Sequence, residues 1–131
     1  MLVCVYYRVA AADAQRVISE VREFQRTLEP AAGVDGAEVL LRCDLPSQAP
    51  PPPPPDVRAQ SVPSQPLPGH VDPDVDATVM ETYRLPLPVA DGPDADAVVR
   101  SFLATLETAA TPVARFLRGA RHVELFAPCA S

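Results

Sequence analysis

The feature that most constrains this chain is a doubled pattern: strand, helix, strand, a proline-rich interruption, then strand, helix, strand again. The first half reads LVCVYYRV (Leu2 to Val9), an amphipathic stretch from about Ala12 to Leu28, and AEVLLRC (Ala37 to Cys43). The second half reads TVMETYRL (Thr78 to Leu85), an apolar helical stretch from about Asp94 to Thr108, and HVELFA (His122 to Ala127). Alternation of apolar residues marks the strands and recurrence at three and four residues marks the helices. Between the halves, Pro46 to Pro73 holds 11 of the 17 prolines, six of them consecutive. Such a run favours the extended polyproline II conformation, which forms no internal hydrogen bonds.

Two βαβ halves in tandem predict an α+β fold of the ferredoxin-like βαββαβ type. This is a four-stranded antiparallel sheet with two main helices on one face. With 131 residues the chain has room for one domain. The proline-rich segment, at about 46–74, is expected to be a solvated extension between strands two and three. Its P-x-x-P (Pro63 to Pro66) recurs by chance in any proline-rich tract and needs no recognition role.

Composition excludes several functions. The net charge of −6 lacks the basic stripe that neutralises phosphates, so no nucleic-acid partner is expected. All eleven basic residues are arginines, which with the Ala and Pro richness reflects a GC-rich genome. Cys4, Cys43 and Cys129 make neither a disulfide framework nor a zinc motif. No signal-peptide pattern or membrane-length apolar run is seen, so a cytoplasmic protein without a membrane partner is expected.

Strand alternation sorts the side chains onto two faces. Val3, Val5, Tyr7 and Val9 should face the helices, with Val39 and Leu41, and with Val123 and Leu125. The helix stripes are Val17, Ile18, Val21, Phe24 and Leu28, then Val98, Phe102, Leu103 and Leu106. Pro112 breaks the second helix, and Phe116 and Leu117 anchor a short turn that Gly119 ends. Strand three forces a choice. Burying Glu81 without a partner would cost several kcal/mol, of order 2–7 for a polar group. The expectation is therefore that Met80 and Thr82 face the helices and that Val79, Glu81, Tyr83 and Leu85 point away.

On the strand order 4-1-3-2, the open face then carries Tyr6, Arg8, Glu38, Arg42, Glu81, Tyr83, His122, Glu124 and Phe126. This mixture of aromatics, carboxylates and guanidiniums is not a plain solvent face, and its apolar centre marks it as an association surface. Another sheet about 10 Å away covers such a face, and a two-fold homodimer does so with one patch. The named side chains are the candidate pocket or interface. Glu81 and Glu124, roughly 10 Å apart across two strand spacings, would flank a small ligand or pair with Arg8, Arg42 and Arg84. His122 is the lone histidine of the two halves, since His70 lies among the prolines. One histidine does not make a facial triad, so neither a metal nor a cofactor is expected.

The first strand, the Met80-Glu81-Thr82-Tyr83 run and the closing Arg121-His122-Val123-Glu124-Leu125-Phe126 resemble a family of short proteobacterial proteins of unknown function. That family is grouped in the dimeric α+β barrel superfamily. The resemblance covers the two folded halves and not the proline-rich segment. It implies a homodimer through the open sheet face, with any site between the two sheets, and it carries no established activity. Three functions fit. The first is a homodimeric ligand-binding or interaction module. The second is a cofactor-independent monooxygenase or isomerase-like enzyme in which Glu81, Glu124 or His122 moves a proton. The third is a purely structural homodimer.

Overall fold

A computed structural model describes residues 1–42, 75–86 and 94–129. The expectations for the proline-rich segment, and Cys43 and His70 with it, lie outside the described residues. The elements in chain order are β1 (Leu2–Ala10), α1 (Ala14–Ala31), β2 (Gly36–Leu41), β3 (Asp76–Arg84), α2 (Asp94–Ala109) and β4 (His122–Phe126). A one-turn 3-10 segment, Ala11–Asp13, leads into α1, and a second, Thr111–Phe116, follows α2.

The strands form one antiparallel sheet in the order β2-β3-β1-β4. This is the ferredoxin-like α+β sandwich. Its two halves interleave, because each helix carries the chain across the sheet to a non-neighbouring strand. The central β1–β3 ladder runs from Leu2 opposite Arg84 to Ala10 opposite Asp76. Met1 and Leu85 extend it with two further bonds of 2.9 Å.

Local sequence explains the helix ends. In α1 the buried stripe is Val17, Ile18, Val21, Phe24 and Leu28, joined by Gln25. Pro30 sits in the last turn. There Ala32 N–H bonds the Leu28 carbonyl and Val34 N–H bonds that of Glu29, with Gly33 between them at φ 65°. Glycine takes that left-handed conformation without the steric cost a Cβ brings. Asp94 and Asp96 stand in the first turn of α2, where carboxylates suit the positive end of the dipole.

One helix stripe differs from expectation. In α2 Val99, not Val98, joins Phe102 and Leu106 in the core, and Val98 is exposed. Positions 99, 102 and 106 keep the three- and four-residue spacing of a single stripe. Pro112 starts the following turn, which buries Val113 and packs Phe116 and Leu117 on the core rim.

The layer between helices and sheet contains Val3, Val5, Tyr7 and Val9 of β1 and Val79, Glu81 and Tyr83 of β3, with Leu85 just beyond. The expected face of β3 is therefore reversed. Glu81, Tyr83, Val79 and Leu85 point toward the helices, and Met80 and Thr82 lie on the open face. Parity forces the choice: burying Glu81 also buries three large apolar side chains. Each contributes roughly 1.5–3 kcal/mol. The carboxylate is not left unpaired either.

β4 differs in degree. Its register, Val3 opposite Leu125 and Val5 opposite Val123, puts both residues on the helix side as expected. Yet each is 47 % exposed, and Val123 lies at an open recess that Leu103, Leu106 and Glu107 of α2 also line.

Candidate functional site

Two polar centres lie on opposite sides of the sheet. The first is buried. Glu81 has no exposed surface and receives four hydrogen bonds. Tyr7 Oη donates to Oε1 at 2.6 Å and Tyr83 Oη donates to Oε2 at 2.5 Å. Arg121 Nη2 donates to both oxygens, at 3.3 and 3.1 Å. The register explains the convergence: Tyr83 is two residues along the same face of β3, and Tyr7 lies diagonally across from Glu81 on β1. Arg121 immediately precedes β4 and reaches beneath the sheet, with its guanidinium 5.5 Å from the Tyr7 ring centre. Phe102 of α2 meets the Tyr83 ring edge-on, centroids 5.2 Å apart.

Burial first, then the charge of Glu81 and the bond to it, raise the hydroxyl pKa values of Tyr7 and Tyr83 far above the ordinary tyrosine range. Both stay protonated donors wherever the protein is folded. Arg121 Nε is buried without a partner among the described residues. The cluster is a buried ion pair whose carboxylate is fully bonded, with neither oxygen left to take a proton from a substrate. Glu81 and Tyr83 thus leave the open-face set. The expected pairing of Glu81 with Arg8, Arg42 or Arg84 gives way to Arg121, and Glu81 and Glu124 do not flank one ligand.

The second centre is on the open face. Tyr6 Oη donates to Glu124 Oε1 at 2.9 Å, and the Tyr6 and His122 rings stack with centroids 5.2 Å apart. The bond to Glu124 raises the Tyr6 pKa, and burial does the same to Cys4 beside it. A protonated, buried thiol is a poor nucleophile. Next to Tyr6 a basin of about 240 Å³ is lined by Tyr6, Tyr7, Arg8, Arg42, Thr78, Arg118, Ala120 and His122. Asp76 holds Arg118 at 2.7 Å and stands 3.8 Å from Arg8. Glu38, Leu40 and Phe126 are exposed on this face. Of the residues expected here, the structure brings together Tyr6, His122 and Glu124, with Arg8 and Arg42 on the basin. It spaces Glu38 and Phe126 at the margins.

Among the described residues no group of three His, Cys, Asp or Glu side chains is placed to hold a metal ion. No helix among them is long and apolar enough to cross a membrane.

No protein-family model and no curated protein matches the chain. Two solved structures are similar to it. One is the de novo designed protein Ferredog-Diesel, 14% identical, with a TM-score of 0.38 over 95% of this chain and 85% of that one. The other is CPII from Thiomonas intermedia K12, bound to ADP, AMP and acetate, 16% identical, with a TM-score of 0.34 over 93% of this chain and 82% of that one. At such scores neither likeness says what this chain binds, and the fold stands on its own strand order and register.

Proposed function

We propose that this protein is a homodimeric interaction module of the dimeric α+β barrel type, associating through the open sheet face, as in the proteobacterial family it resembles. The observation that carries the reading is the centre of that face. Leu40, Met80, Tyr6 and His122 form one continuous row across all four strands. A row of aliphatic and aromatic side chains on the uncovered side of a sheet favours burial against a second apolar surface. The proton-transfer reading is weakened, because Glu81 lies on the other side of the sheet with both oxygens occupied.

Sedimentation velocity at micromolar concentration tests the reading. The wild type is expected to sediment as a dimer. Met80→Asp, which puts a charge in the middle of the row, should give a folded monomer. A monomeric wild type overturns the proposal.

One observation favours a ligand at the same face. The basin is lined by Arg8, Arg42 and Arg118, the last of them held by Asp76, and guanidiniums suit carboxylate or phosphate oxygens. Titration calorimetry with inorganic phosphate, against chloride at matched ionic strength, should show binding that Arg8→Ala weakens. Heats identical to those of chloride exclude it.

A further inference from the structure

We infer that the second copy packs on the open face with its strands reversed, about a two-fold axis lying between the sheets along the row Leu40–Met80–Tyr6–His122. This rests on the homodimeric reading above and assigns its geometry.

The inference comes from how charge is arranged on the face. The ladders place the open-face residues in rows across the strands. Two residues from the central row in one direction, the row is Glu38, Thr82, Cys4 and Glu124. Two residues the other way it holds Thr78 and Arg8, with Arg42 bonded to Thr78 through its backbone N–H. Four residues out, the first side carries Arg84 and the second Asp76. Along the strands the sign therefore runs negative at Glu38 and Glu124, neutral in the central row and positive at Arg8 and Arg42, with Asp76 beyond them already bonded to Arg118. Reversing that order lays the negative row on the positive one.

Two in-plane axes can bring such a face against its own copy. An axis parallel to the strands lays each row on itself, so carboxylates face carboxylates and guanidiniums face guanidiniums. An axis along the central row reverses the strands. It lays Glu38 over the partner's Arg42, and it brings Glu124 beside the partner's Arg8. Only the second is electrostatically self-complementary, and like charges facing each other in a partly desolvated interface cost several kcal/mol.

The reach is adequate. Packed sheets lie about 10 Å apart, a gap that facing Arg and Glu side chains bridge together. Twist rotates aligned sheets by roughly 30°, which at Glu38 and Arg42, about 10 Å from the centre of the face, shifts facing positions by about 5 Å. Glu38 is an exposed carboxylate, and no hydrogen bond or ion pair engages its side chain among the described residues. Arg8 is 66% exposed and only loosely held by Asp76 at 3.8 Å.

Charge reversal on β2 tests the arrangement. Both positions are exposed, so the fold should tolerate the changes. Glu38→Arg alone and Arg42→Glu alone each put like charges together twice per dimer, and each should weaken association about tenfold or more. The double variant restores both contacts and should return to within about threefold of wild type. An equimolar mixture of the two single variants should form a heterodimer, because one protomer then offers two cations and the other two carboxylates. A monomeric wild type overturns the homodimeric reading and this inference together. A dimeric wild type whose single variants associate normally, or whose double variant and mixture stay weak, overturns the strand-reversed arrangement alone.

Discussion

At the residue scale, Glu81 decides most. It is a carboxylate with no exposed surface, held by two phenols and one guanidinium. Removing one member of a buried ion pair leaves the other uncompensated. Glu81→Gln keeps the shape but removes the charge opposite Arg121, and urea unfolding should show a loss of about 3 kcal/mol. Tyr83→Phe removes one charge-assisted bond and should cost about 1.5–3 kcal/mol in the same assay. The tyrosines also set the alkaline limit. Their folded pKa values are raised, so their contribution is complete below the unfolded value of about 10 and is lost as pH rises above it. Stability should fall above about pH 10, and the phenolate absorbance of Tyr7 and Tyr83 should appear only with unfolding. This cluster was only half legible in the sequence. Glu81 stands out, but nothing next to it in the sequence marks the partners that offset its burial. Yet Tyr7, Tyr83 and Arg121 all have odd numbers, the same parity as the inward residues of β1, β3 and β4. That parity was the available signal. Nothing in the spacing shows that a residue just before an edge strand reaches under the sheet.

At the element scale, periodicity located the six main helices and strands to within a few residues, because each buries one continuous stripe. It did less well where a stripe has no cover. Val123 and Leu125 alternate as a buried strand should, and they do point to the helix side. Their exposure depends on how closely the helix layer covers that edge, which alternation on β4 cannot encode. The cost of substitution should therefore differ across the β1–β4 pair. Val5→Ala empties a fully buried site and should cost about 2 kcal/mol, whereas Val123→Thr opposite it should stay within about 0.5 kcal/mol. Thermal unfolding of the two variants checks the contrast. The shift from Val98 to Val99 has a similar origin: both fit a helical stripe, and only tertiary packing selects one.

At the scale of the whole molecule, strand order and register follow from the two βαβ halves, and the sheet pairs in order up to Arg42 and Val75, where the proline-rich segment leaves and returns. Replacing residues 47–73 with a short glycine-containing turn should preserve the fold. It should stabilise the protein by at most about 2 kcal/mol, since each halving of a loop is worth about 0.6 kcal/mol. Insoluble protein or a large fall in the urea midpoint counts against that. The distribution of phenols has a practical consequence. The chain contains three tyrosines and no tryptophan. Tyr7 and Tyr83 are bonded to a carboxylate inside the core, while Tyr6 sits in the central row of the open face. A Tyr6→Phe protein therefore emits only from the interior and reports folding, and the emission it lacks relative to wild type belongs to the open face. The molecule carries its own pair of optical labels, one for each side of its sheet, and a dilution series read by intrinsic fluorescence can test the proposed association with no dye attached.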